Sequence, residues 1–189
     1  MTDALRVCGI DPGTDTLGIC YLDIDLDTCA IKLYDVKTIT AHLRRRDYDH
    51  LREDVGNRYI NVQVLQDYVY RSLVTNRPHV LMAEAPYSGR FATAFSALVE
   101  VNLRLRDALW WYDPSMTYFS IDPKSVKKFI GAAVHKASKD NMKLSLMKVT
   151  DIDWNGFDLI KLDEHSIDAI AVGYYKAKQL IGFIKARGG

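Results

Sequence analysis

With 189 residues, 48% of them hydrophobic and 26% charged, and a formal net charge of +1, the chain has the length and composition of one well-packed globular domain, expected to span 1–189. No apolar run approaches the ~20 residues of a membrane span, and the opening MTDALRV has neither the basic nor the apolar segment of a signal peptide. The three cysteines, Cys8, Cys20 and Cys29, are odd in number, lack metal-type CxxC spacing and fall in apparent strands, so free thiols in a cytoplasmic protein are expected rather than a disulfide framework.

Residues 6–12, 17–24 and 29–39 read as three consecutive strands with short turns, an antiparallel meander. The stretch HLRRRDYDHLREDVGN that follows is polar and carries charges of both signs. From Tyr59 to Leu73 the apolar residues Ile60, Val64, Val69 and Leu73, with Leu65 and Tyr68 beside them, recur at helical spacing. HVLMAEAP is a short apolar strand that ends in an acid. FATAFSALVEVNLRLRDALWWY predicts a long helix with Phe91, Phe95, Leu98, Val99 and Leu105 inward, and MTYFSI a fifth strand. From Asp122 onward the chain is helical in character, interrupted near DIDWNGFD. The order βββαβαβα implies an α/β fold with a mixed five-stranded sheet, its first three strands antiparallel, flanked by helices.

Charge is distributed unevenly along this order. Up to residue 35 there are seven aspartates against Arg6 and Lys32, whereas residues 122–148 hold Lys124, Lys127, Lys128, Lys136, Lys139, Lys143 and Lys148 against Asp122 and Asp140. The net charge does not suggest a polyanion partner, but this local excess does, unless the segment is a solvated helix face.

Two strands end in acids: Asp11 after VCGI and Glu84 after VLMA. Neighbouring strand ends in an α/β sheet bring such residues to one rim. LDEHSIDAIAVGYY reads as a helix with Ile167, Ile170, Ala171 and Tyr174 inward, and its early turns carry Glu164, His165 and Asp168. His165 and Asp168, three apart, share a face, and so can Glu164 and Asp168, four apart. Like charges ~4 Å apart repel by ~4 kcal/mol at an effective dielectric of 20. Carboxylates that share a site therefore call for a cation, and hard oxygen ligands favour Mg²⁺ or Mn²⁺. The expected use is two-metal phosphoryl transfer, in which one ion activates water and the other stabilises the leaving oxygen.

These motifs resemble the RuvC family of Holliday junction resolvases, of RNase H-like fold, and its divergent phage-encoded members more than the short bacterial type. GIDPGTDTLG resembles the family's opening motif, which makes Asp11 the central metal ligand. MAEAPYSGRFATAFSALVEV resembles the segment in which a catalytic Glu, here Glu84, is followed three residues later by an aromatic that wedges into the junction, here Tyr87. DPKSVKKFIGAAVHKASKDNMKLSLMK resembles the Pro-x-x-Val-Lys segment and its lysine-bearing loop. Lys127 matches the first family lysine, and the second falls on Lys139 or Lys136. DEHSIDAIAVG resembles the C-terminal motif, with His165 and Asp168 as ligands. A histidine there lowers the negative charge and adds a possible general base. The insertion around HLRRRDYDHLRED is longer than the family pattern.

The resemblance implies a homodimeric, Mg²⁺-dependent endonuclease that nicks opposing strands of four-way junctions, with Asp11, Glu84, His165 and Asp168 as catalytic ligands of two ions. Tyr87, Lys124, Lys127, Lys128, Lys136 and Lys139 would be its DNA contacts. Other readings are a broader branched-DNA or flap endonuclease of the same fold, a junction-binding protein without nuclease activity, and an ATP-binding protein like actin or Hsp70, suggested by GIDPGT. Against the last, 189 residues are too few for two such lobes and no second glycine-rich phosphate loop is present.

Overall fold

A computed structural model describes residues 4–87, 92–132 and 140–187. The meander forms as expected: β1 (Ala4–Asp11), β2 (Thr16–Asp25) and β3 (Ile31–Thr40) pair antiparallel in sequence order. β4 (Val80–Glu84) joins the other side of β1 in parallel, and β5 (Tyr118–Ile121) joins β4 in parallel. Among the described residues the sheet has six strands rather than five, in the order β5-β4-β1-β2-β3-β6. The sixth, β6, is only Ile152–Asp153, paired parallel to the start of β3. It lies inside DIDWNGFD, and two residues are too few to show an alternating pattern in sequence.

Among the described residues five helices cover the sheet: α1 (Arg52–Asn76), α2 (Ala92–Tyr112), α3 (Pro123–Phe129), α4 (Asp140–Leu146) and α5 (Glu164–Arg187). α1 begins seven residues earlier than the apolar spacing predicts, but Gly56 (φ 76°, ψ 163°) breaks it, so the regular helix starts close to Tyr59. Of the residues expected inward on α2, only Leu105 is buried. Phe95, Leu98 and Val99 are half-buried, and Phe91 lies outside the described residues. The buried stripe is instead Val101, Asn102, Leu105, Ala108 and Leu109, so only the C-terminal part of α2 packs onto the core. Cys8 and Cys20 are buried free thiols in strands; Cys29, also free, sits in the β2–β3 turn at φ 58°, not in a strand.

Strand alternation splits the interior into two cores. Cys8, Ile10, Leu17, Ile19 and Tyr21 face α1 and α2, with Ile60, Leu65, Val69 and Leu105. Val7, Cys20, Leu22 and Ile24 face α5, with Ile167, Ile170, Ala171 and Tyr174. Gly9 and Asp11 on β1 follow the phase of Val7, and Glu84 on β4 follows that of Met82, so both acids point to the α5 side.

α5 crosses β1 and β2 at backbone distance. A methyl group on Gly9 would run into the carbonyl oxygen of Ala169 and come within 2.5 Å of the Gly173 nitrogen. One on Gly18 would strike the His165 carbonyl, and one on Gly173 would lie 2.9 Å from Cys20 Sγ. The Cys20 thiol donates to the Ala169 carbonyl (3.2 Å) across the same contact.

Gly9→Ala should therefore force the helix off the sheet, destabilising the fold by about 1–3 kcal/mol, the usual range for overpacking. At about 2–4 °C per kcal/mol for a chain of this size, the thermal midpoint should fall by several degrees. Gly182→Ala, on the same helix with no atom within 4 Å of the added methyl, should leave the midpoint unchanged or raise it, because alanine is the better helix former by about 1 kcal/mol. Equal midpoints for wild type and Gly9→Ala would refute the close-contact account.

Candidate active site

Three elements deliver the four expected site residues. Asp11 is the last residue of β1 and Glu84 the last of β4, adjacent parallel strands that end on one rim. His165 and Asp168 come from the first turns of α5. Asp163 fixes where that helix starts: its carboxylate accepts from the Ser166 backbone N–H (2.9 Å), an N-cap bond. The Thr38 hydroxyl donates to the same carboxylate (2.7 Å) and is 2.8 Å from Ser166 Oγ, so β3 pins the cap in place.

His165 Nδ1 donates to Asp11 Oδ2 at 2.7 Å. That bond raises the His165 pKa, although partial burial works against the imidazolium. Burial is the largest cause pushing Glu84 up to about 8, with the charges of Asp11 and Asp168 adding to it and Lys127 opposing. Asp168 is raised to about 7, first by burial and then by Asp11, again with Lys127 opposing. Glu164, expected to share this face, adds to the rise of Asp168 through its charge.

Among the described residues, no three His, Cys, Asp or Glu side chains are arranged as a ready-made coordination shell. What the rim holds is a set of converging carboxylates whose burial and mutual repulsion disfavour their ionised forms. Three hard oxygen donors and one imidazole fit a hard divalent cation, which would reverse the electrostatic penalty on Glu84 and Asp168.

The lysine segment lies beside this set. Asp122 caps α3 by accepting from the Ser125 N–H (2.9 Å), with Pro123 at the first helical position. Lys124, Lys127 and Lys128 are all exposed on that short helix. Lys127 is the one whose charge reaches Glu84 and Asp168. Lys124 Nζ lies 5.4 Å from the centre of the Tyr87 ring, a cation–π pair, and Tyr87 is 50% exposed. Lys136 and Lys139 lie outside the described residues. Lys143 is structural: its Nζ donates to the carbonyls of Ile160 (3.2 Å) and Leu162 (2.6 Å) just before α5.

Two features escape a reading of the sequence. Asp163 is visible in retrospect as an Asp-x-x-Ser cap ahead of an apolar run. The pairing of Asp15 with His42 (Oδ2 to Nδ1, 2.5 Å) joins residues 27 apart and has no local signal.

No family model and no curated protein sequence matches the chain. Solved structures do. Thermus thermophilus RuvC, in complex with a Holliday junction substrate, aligns at TM-score 0.63 and 16% identity over 98% of this chain and 97% of that one. The yeast mitochondrial Holliday junction resolvase aligns at TM-score 0.61 and 15% identity over 96% and 84%. The fowlpox virus Holliday junction resolvase aligns at 0.57 and 12% over 93% and 99%. At these identities the likeness is one of fold, and it extends over nearly the full length of each chain: this protein has the RNase H-like fold in the arrangement found in the RuvC-type resolvases.

Proposed function

We propose that the chain is a metal-dependent, structure-selective endonuclease that resolves four-way DNA junctions as a homodimer. The observation that carries this reading is the convergence of Asp11, Glu84 and Asp168 with His165 on one rim, with Glu84 and Asp168 held toward their neutral forms by burial and like charge. It is joined by a fold whose neighbours include resolvases solved with junction DNA. Asp11, Glu84, His165 and Asp168 would hold two Mg²⁺ ions, with Mn²⁺ as a substitute. When bound, the ions supply charge stabilisation at the scissile phosphate and a nucleophile at neutral pH.

The chain's own residues do the rest. Asp11 and Glu84 are fixed by the sheet, and His165 orients Asp11 through Nδ1, leaving Nε2 for a second partner. Lys124, Lys127 and Lys128 would neutralise phosphates beside the carboxylates without reading sequence. Tyr87, exposed next to Lys124, would stack on a base at the opened junction centre. A twofold dimer would present two such sites to opposing strands. The N-terminal part of α2, where Ala92, Ala94, Ser96 and Ala97 are small, would allow a second copy to approach closely. The deciding experiment is Mg²⁺-dependent cleavage of labelled four-way junctions, three-way junctions and duplexes side by side. Paired symmetric nicks in the first alone support resolution, cleavage of both junctions but not the duplex supports the broader branched-DNA reading, and equal cleavage of all three overturns structure selectivity.

Asp11→Asn, Glu84→Gln and Asp168→Asn should each lower junction cleavage by more than about a hundredfold, a common effect of removing transition-state electrostatics. Junction binding should be largely unchanged. A variant that cuts at the wild-type rate in Mg²⁺ is not a ligand.

Stability should depend on pH through the same groups. The folded-state pKa values of Glu84 (about 8, from 4.5) and Asp168 (about 7, from 3.8) lie above their unfolded values, so the folded state takes up protons. Their contribution is fully present below about pH 4 and is lost as pH rises through about 7 and 8. The metal-free protein should therefore gain from Glu84→Gln at pH 8, by a few degrees in thermal midpoint, and gain much less at pH 5. Mg²⁺ should raise the wild-type midpoint at pH 8 more than that of the variant. A difference between wild type and variant that is independent of pH would show that Glu84 is not held in this way.

Tyr87→Ala should slow cleavage of a fully paired junction by about ten- to a hundredfold, if stacking worth ~1–3 kcal/mol is lost in the transition state. A junction already unpaired at its centre should restore most of the rate, and Tyr87→Phe should behave as wild type. Equal slowing on both junctions would remove Tyr87 from the opening step.

A further inference from the structure

The rim carries a second basic element that the nuclease chemistry leaves unused. Past β3 the chain runs through two short 3-10 turns, Ala41–Leu43 and Arg45–Leu51, in which only Ala41 is buried. Ala41 and the partly buried Tyr48 pack against the core on the α1 side, Tyr48 donates to Asp67 and Arg45 to Asn57; the stretch is the insertion that departs from the family pattern. It is also fastened to the turn that follows Asp11. Asp15 accepts from the His42 backbone N–H (3.0 Å), from His42 Nδ1 (2.5 Å) and from Asn61 Nδ2 (2.9 Å). The Asp15 carbonyl accepts from the Ala41 N–H (2.7 Å). Asp15 and His165 line the same cavity, about 440 Å³, between this turn and the first half of α2.

Strand order places the segment relative to the carboxylates. β3 lies two strands to one side of β1 and β5 two strands to the other, each about 10 Å away at about 4.8 Å per strand. β1, β3, β4 and β5 run in the same direction, so Asp11, Ala41, Glu84 and Asp122 all emerge on one rim. Along the sheet, residues 41–46 and the Lys124–Lys128 helix therefore emerge to opposite sides of the acids, the former over the α1 layer, where Ala41 and Tyr48 pack, the latter over the α5 layer, where Val126 packs. His42, Arg44 and Arg46 are exposed. Arg44 lies 5.9 Å from the centre of the Tyr68 ring, and Asp49 is already paired with Arg52.

We propose that residues 41–46 form a second phosphate-contacting rim, with Arg44 and Arg46 taking backbone phosphates of a duplex arm on the β3 side of the site. The inference rests on the nuclease reading and adds to it the surface that holds the second arm. A duplex arm that extends past the acids toward β3 leaves the reach of the lysine helix, and exposed arginines on that side would neutralise its phosphates. The anchor through Asp15 ties the position of these arginines to the turn that carries Asp11.

The test is the salt dependence of junction binding by fluorescence anisotropy, with Ca²⁺ in place of Mg²⁺, for Arg44→Gln/Arg46→Gln. The slope of log K against log salt should shrink by about two, at roughly 0.9 for each phosphate that is no longer neutralised. The thermal midpoint should stay unchanged, because both side chains are exposed. Arg187→Gln, at the far end of the 24-residue α5, some ~36 Å along the helix, should leave the slope as in wild type. A wild-type slope in the double variant, or an equal loss in Arg187→Gln, overturns the proposal while leaving the nuclease reading intact. A wild-type protein that neither binds nor cuts branched DNA overturns both.

Discussion

Helix α5 meets β1 and β2 with no side chain between the backbones, at Gly9, Gly18 and Gly173. The geometry of the candidate site follows from that contact. His165 and Asp168 sit in the first turns of α5, and the His165 carbonyl rests directly over Gly18. Helix–sheet packing through ordinary side chains would set the helix several ångströms higher and carry His165 out of hydrogen-bond reach of Asp11. The glycines give up apolar area that larger residues would bury. What they allow is an imidazole from a helix and a carboxylate from a strand at 2.7 Å.

Much of this is legible in the sequence because the relevant signals are periodic or terminal. The apolar runs of β1 to β3 and the short turns between them predict the antiparallel pairing, and an acid at the end of an apolar strand is conspicuous. The helical spacing of Ile167, Ile170, Ala171 and Tyr174 gives the buried face of α5 correctly. α2 is harder: its first half carries apolar residues at helical spacing, yet Phe95, Leu98 and Val99 are only half-buried. Periodicity reports an apolar face without saying whether this chain's own core covers it. Neither the glycine contact nor the Asp15–His42 anchor can be read, since each joins residues far apart in sequence and depends on a backbone distance.

The six-stranded sheet and the polar insertion show the same limit from the other side. β6 exists only because Ile152 and Asp153 lie beside the start of β3, and two residues of extended chain carry no pattern of their own. The 41–51 stretch has charges of both signs and no apolar period, which in sequence looks like a loop. Its order comes from Asp15, which accepts from His42, and from α1, where Asn57 accepts from Arg45 and Asp67 from Tyr48.

Protons and a cation compete for the same oxygens on this rim. Burial penalises the charged forms of Glu84 and Asp168, and without a divalent ion they answer by taking up protons at about pH 8 and 7. The same burial lowers the local dielectric and strengthens the attraction between each carboxylate and a cation placed among them. Lys127 supplies one positive charge and pulls both pKa values down, yet both remain well above the ordinary carboxylate range. Lys127 and His165, which is bonded to Asp11 and also pulls Asp168 down, thus leave the charge incompletely balanced. A site with this residual imbalance favours a divalent ion over further lysines, and affinity for that ion must fall as pH drops through the range in which the carboxylates protonate. The desolvation that destabilises the metal-free rim would therefore also favour the compact, doubly charged partner proposed for it.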